Sequence, residues 1–127
     1  MPLAFGGCAV IAPSLLALCA NDAGRLYDEV TVLNGTPSGV QMLLETGRLP
    51  KHVRLVRLGG EVLTRRLVDR LFDSMHTGGR VINEYGPTEA TDLCLFEEMR
   101  RGDSSAPLVG RAVPGIQIHV LDAVGLS

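Results

Sequence analysis

Apolar residues in this chain fall into short continuous runs and one-sided stripes, and the two kinds alternate. Cys8 to Ala12 is a short apolar run of strand type. Ser14 to about Glu29 reads as a helix with Leu15, Leu18, Cys19, Leu26 and Tyr27 near one face, weakened in its middle by Asn21, Asp22 and Gly24. Val30 to Asn34 is β-branched and ends at Gly35. Thr36 then caps a helix with Pro37 in its first position, where a missing N–H costs nothing; Val40, Leu43 and Leu44 mark its inner face and Gly47 its end. Val53 to Leu58 is the next strand. Thr64 caps a helix whose Leu67, Val68, Leu71, Phe72 and Met75 follow i, i+1, i+4, i+5, i+8 spacing, ending at Gly78-Gly79. Arg80 to Asn83, Thr91 to Glu98 and Ile116 to Leu121 read as further strands, the last alternating inward and outward, and Arg100 to Pro107 is a polar loop.

Strands separated by helices of this length imply right-handed crossovers, so the predicted fold is α/β with a largely parallel sheet. Ligands of such sheets collect beyond the carboxyl ends of the strands. Asn34, Gly59-Gly60-Glu61 and the row Glu84 to Glu89 all fall at such ends. A parallel sheet needs cover on both faces, and three helices for five or six strands predict a bare apolar face.

The chain has 127 residues and 46% hydrophobic residues, which suits one domain with a buried core. A net charge of −2 with interspersed signs, and only 4% aromatics, offers neither a basic stripe nor a stacking platform for nucleic acid. Cys8, Cys19 and Cys94 are odd in number and far apart, which points to a reducing, cytoplasmic compartment. His52, His76 and His119 stand singly and read as structural or surface residues. The apolar N-terminal stretch has no Lys or Arg before Arg25 and is broken by Pro2, Pro13 and Gly6-Gly7. It therefore suits neither a signal peptide nor a membrane span, which needs roughly 18 apolar residues.

The densest chemistry lies in Ile82 to Thr91, INEYGPTEAT. Tyr85 offers a flat face to a planar base, Gly86 lets backbone approach a ligand, and Pro87 stiffens the turn. Thr88 can donate to a phosphate oxygen, and Glu89 can bind a hard cation such as Mg²⁺. Gly59-Gly60 exposes backbone groups at a neighbouring strand end. Together these suggest a nucleotide site. Gly-Pro-Thr equally reads as an ordinary turn, with Thr-Glu opening a helix.

NEYGPTEAT closely resembles the core motif NxYGPTE of adenylation domains in nonribosomal peptide synthetases, which are AMP-binding, adenylate-forming ligases of secondary metabolism. VRLGGEVLT resembles the family segment ending GGExL, VTVLNGTPSGVQMLL the strand and helix before it, and PLVGRAVPGIQIHVLD the strand region after it, all in family order. The resemblance implies activation of an amino-acid carboxylate by Mg-ATP to an acyl adenylate, release of pyrophosphate, and transfer to a carrier-protein thiol. It implies that Tyr85 stacks on adenine, with Gly59, Gly60, Asn83, Glu84 and Gly86 bordering the nucleotide. Thr88 would meet the phosphate and Glu89 would hold Mg²⁺, the two being the candidate catalytic residues. Asn34, Arg57, Gly59, Glu84, Asp92 and Leu93 would line the amino-acid pocket. Three of those six are charged, which favours a cationic or strongly hydrogen-bonding substrate side chain, with Arg57 pairing one of the acids.

No phosphate loop of the YTSGTTGxPKG type is found in the sequence, nor the family's ribose-binding Asp, the Asp for the substrate amino group, or the catalytic Lys. Residues 1–127 are accordingly read as a partial adenylation domain: a central piece of the large N-terminal subdomain, without carrier, condensation or C-terminal adenylation subdomain. The piece is expected to be inactive alone. The alternatives are a non-catalytic remnant of a broken synthetase gene, or a folded piece acting only with other synthetase fragments. A small flavodoxin-like or Rossmann-like domain is disfavoured, because no Gly-rich loop follows the first strand.

Overall fold

A computed structural model describes residues 3–12, 14–19, 25–90 and 93–123. Among them, five strands form one sheet: β1 Val32–Gly35, β2 Leu55–Gly59, β3 Arg80–Tyr85, β4 Leu95–Glu98 and β5 Arg111–Ala112, side by side in chain order. β1, β2 and β3 run parallel, with Leu33 beside Val56 and Val56 beside Val81; β4 and β5 extend the sheet antiparallel. The α/β, largely parallel architecture is thus as the sequence predicts, with an antiparallel edge added.

The helices are α1 Leu15–Cys19, α2 Arg25–Asp28, α3 Pro37–Glu45 and α4 Arg65–Ser74. Both long helices start as their capping residues dictate. Thr36 Oγ1 accepts the Gly39 N–H at 3.2 Å and Thr64 Oγ1 accepts the Leu67 N–H at 3.3 Å, each satisfying a first-turn donor that the helix itself leaves free. The apolar stripe of α4 is buried as its spacing requires, and Leu67, Val68, Leu71, Phe72 and Met75 join Val40, Val56, Leu58 and Val81 in one core. At about 25 cal/mol per Å² of apolar surface removed from water, this core is the main source of stability. Strand alternation places Leu55, Arg57, Ile82, Glu84 and Phe96 on the opposite face, where they remain partly exposed.

Two predicted elements differ. Cys8 to Ala12 is not a strand. It follows a 3₁₀ turn at Leu3–Phe5 and joins no sheet among the described residues, and Phe5 and Ile11 are about 90% and 93% exposed. An apolar run becomes a strand only where a neighbour satisfies its backbone groups, and β1 has its partner in β2. Ile116 to Leu121 is not a strand either. The ladder stops at Ala112, a turn follows in which the Val113 carbonyl accepts from the Ile116 N–H, and Val120 is left 85% exposed. Of the helix expected over residues 14–29, the structure describes α1 and α2; residues 20–24 between them, with Asn21, Asp22 and Gly24, lie outside the described residues. Smaller shifts extend β3 through Tyr85 and start β4 at Leu95, while Thr91, at the expected start of β4, also lies outside the described residues. No helix among the described residues is long and apolar enough to cross a membrane.

Candidate functional site

The carboxyl ends of the three parallel strands open on one cleft. Asn34, Gly35 and Thr36 come from the end of β1, Gly59 and Gly60 from the end of β2, and Glu84 and Gly86 from the end of β3 and the turn after it. Together they line a volume of about 350 Å³. Backbone register produces this convergence, since Asn34 lies beside Arg57 and Gly59 beside Glu84.

Glycine is required on the cleft wall for two physical reasons. A Cβ at Gly59 would sit 3.2 Å from the Glu84 carbonyl oxygen, and Gly60 has φ +83°, a conformation that side chains resist. The pair also leaves that wall free of side chains, as a cradle for a flat ligand requires.

Two polar ties hold the cleft. Arg57 Nε donates to Glu84 Oε1 along the sheet face opposite the core, so the two charges answer each other inside the structure. Glu61, directly after the glycine pair, accepts the Ser38 N–H through Oε2 at 2.9 Å and the Ser38 hydroxyl through Oε1 at 2.8 Å. The Ser38 N–H, helped by that hydroxyl, holds the Glu61 carboxyl below the usual carboxylate range. Sequence reasoning placed Glu61 at a strand end but gave it no role. Its partner lies 23 positions earlier, and no local pattern joins them.

Of the residues expected to contact a nucleotide, Gly59, Gly60, Glu84 and Gly86 line the cleft. Tyr85 lies outside its wall and is 53% exposed, with its carbonyl accepting the Cys94 N–H at 2.9 Å. Thr88 and Glu89 stand exposed on a 3₁₀ turn, Thr88–Ala90. Asn83 is buried on the helix side of the sheet, where its Nδ2 donates to the Leu108 carbonyl at 2.7 Å. Its side chain ties the loop before β5 to β3, and Asn83 is not part of the cleft wall. Of the expected amino-acid pocket, Asn34, Gly59 and Glu84 are in the cleft, Arg57 reaches it through Glu84, and Leu93 is half-buried beyond it. Asp92 lies outside the described residues.

For Mg²⁺, no group of three or more acidic, His or Cys side chains converges among the described residues. Mg²⁺ usually keeps several waters and takes one or two carboxylates plus substrate phosphates. The single exposed carboxylate of Glu89, next to the Thr88 hydroxyl, suits that mode.

The model of the AMP-binding enzyme family matches residues 1–126. The chain is 34% identical over 121 residues to a linear gramicidin synthase of Brevibacillus parabrevis, covering 95% of this chain and 2% of that protein. It is 36% identical over 119 residues to the phosphinothricin tripeptide synthetase PhsC of Streptomyces viridochromogenes, covering 92% of this chain and 10% of that one. Among solved structures it superposes on the Vibrio cholerae adenylation domain AlmE, crystallised with glycyl-adenosine-5'-phosphate. The TM-score is 0.76 at 23% identity, over 94% of this chain and 23% of that one. The chain therefore spans a small part of the relatives it matches.

Proposed function

This chain belongs to the AMP-binding enzyme family, and from that premise we propose that it supplies the adenosine and acyl walls of an amino-acid-activating adenylation domain in nonribosomal peptide synthesis. The observation that carries the reading is the convergence of Asn34, Gly59, Gly60, Glu84 and Gly86 in one cleft, with Tyr85 at the end of β3 and Thr88 and Glu89 on the turn that follows. The half-exposed ring of Tyr85, at the end of β3, stacks on adenine. The Thr88 hydroxyl donates to a phosphate oxygen. Glu89 would hold Mg²⁺, and the chemistry that ion would supply is neutralisation of phosphate charge. An oxygen of the substrate amino acid's carboxylate attacks the α-phosphorus, and the bond from that phosphorus to pyrophosphate breaks. A carrier-protein thiol then attacks the acyl carbon, a thioester forms, and AMP leaves.

One threonine and one carboxylate do not stabilise the transferring phosphoryl group on their own. The 127-residue chain is therefore expected to bind adenosine nucleotides without amino-acid-dependent pyrophosphate exchange. Calorimetric titration with AMP, run beside the exchange assay, tests this. Absence of any AMP binding sinks the site assignment, and exchange well above a no-protein control sinks the claim of inactivity.

A further inference from the structure

The N-terminus of α3 opens toward the cleft, because Thr36 is both its capping residue and part of the cleft wall. Such a terminus attracts anions, since its first N–H groups lack partners and the helix dipole favours negative charge. In this chain an anion of the protein's own is already there. The Glu61 carboxylate takes the Ser38 N–H with one oxygen and the Ser38 hydroxyl with the other, while Thr36 Oγ1 takes the Gly39 N–H. The groups facing that carboxylate are the Ser38 N–H and the Ser38 and Thr36 hydroxyls.

The same contacts join two walls. Glu61 follows the Gly59-Gly60 turn of β2, and Ser38 follows the Thr36 turn of β1. Where they meet, a Cβ at Gly60 would lie 3.8 Å from Thr36 Cγ2, so the turns are already near contact.

We propose that Glu61 is a positioning residue: it clamps the β1 and β2 turns together and fills the α3 terminus, so that the cleft admits the uncharged adenosine end of the nucleotide and rejects its phosphates. This rests on the nucleotide reading above and adds the direction in which the ligand lies. The phosphates are sent to the far end of the row, toward Thr88. With the carboxylate in place, a phosphate near Ser38 meets like charge and finds its donors taken. Without it, the α3 terminus becomes an open anion site and the two turns lose their tie.

The test follows backbone amide shifts of the 127-residue chain with two probes, adenosine and inorganic phosphate. In the unaltered chain, adenosine should move the Gly59, Gly60 and Gly86 amides, and phosphate should leave Ser38 and Gly39 in place. In Glu61→Ala, phosphate should move Ser38 and Gly39, and adenosine should bind at least about tenfold more weakly, the effect of losing a charge-assisted tie. Glu61→Gln separates the two roles. Its amide oxygen still accepts from Ser38, so adenosine binding should largely survive while phosphate rejection weakens. The proposal is overturned if phosphate moves Ser38 equally in the unaltered chain and in Glu61→Ala, or if Glu61→Ala binds adenosine as tightly as the unaltered chain. If adenosine moves nothing in the unaltered chain while the phosphate results come out as expected, the nucleotide reading falls and the closure of the α3 terminus by Glu61 stands.

Discussion

Arg57 and Glu84 lie diagonally across the β2–β3 ladder, and the guanidinium donates to the carboxylate along the face of the sheet opposite the core. A carboxylate so placed keeps its charge tolerable through its neighbour. Arg57→Ala leaves Glu84 partly buried and without that partner. Arg57 is about one-third exposed, so solvent screens part of the cost, and we expect a loss of about 1–3 kcal/mol. Adding Glu84→Gln should recover most of it. Urea denaturation of the two single variants and the double variant measures the coupling, and strictly additive losses would contradict the pairing.

The same pair bears on substrate choice. In a complete, active adenylation domain carrying this segment, Arg57→Ala should move the preference toward amino acids with cationic side chains, because Glu84 then lacks its internal partner. Amino-acid profiling by pyrophosphate exchange reads this. An unchanged profile means that Glu84 does not face the substrate.

Tyr85 is half-exposed, so Tyr85→Ala should leave the melting temperature nearly unchanged. Loss of a base-stacking ring costs about 1–3 kcal/mol, roughly fivefold to 150-fold in AMP affinity. Equal affinity in the variant removes Tyr85 from the site.

Gly110 tolerates no side chain. It has φ +77°, and a Cβ there would stand 2.1 Å from the Phe96 carbonyl oxygen. The obstacle is backbone, which cannot swing aside. Gly110→Ala should therefore break the β4–β5 pairing and cost more than about 4 kcal/mol, in the rare class of severe single substitutions. Circular dichroism melts check this, as does faster hydrogen exchange at the Val113 N–H, which donates to the Cys94 carbonyl at 2.9 Å.

Acid should loosen the cleft before it unfolds the core. The folded-state pKa of Glu61 is depressed by Ser38, so its contribution is fully present above the unfolded value of about 4.3 and is lost as pH falls through the lower folded value. Glu98, depressed by its hydrogen bonds from Arg80, adds to the same window. Melting temperatures recorded from pH 7 down to about pH 2.5 should fall in this window. They should fall less steeply in Glu61→Gln; matching curves would show that Glu61 contributes nothing.

Capping residues and helical stripes were legible because their causes are local. Thr36 with Pro37, and Thr64 ahead of Leu67, act within one turn, and both helices start where these residues place them. The strand ends were legible from Gly35 and Gly59. Cys8 to Ala12 and Ile116 to Leu121 misled because hydrophobic pattern reports a tendency toward burial and says nothing of whether a neighbouring strand is there. The ties of the site were legible only in part. That Arg57 needed an acid follows from charge, while Glu61 with Ser38 and Asn83 with Leu108 join distant segments whose meeting the fold alone decides.

The strands stand in the sheet in the order in which a ribosome makes them. Each one emerging can join the free edge left by its predecessor, and none of the strands among the described residues must be held in reserve or threaded between two already paired. α3 is complete before β2 appears and α4 before β3, so each crossover can settle on the layer beneath it as it forms. Pairing between sequence neighbours keeps each closing loop as short as a parallel crossover allows. Growth by addition at an edge also means that the cleft, which needs the ends of β1, β2 and β3 together, comes into being only when the Glu84 end of β3 docks, before β4 and β5 extend the sheet.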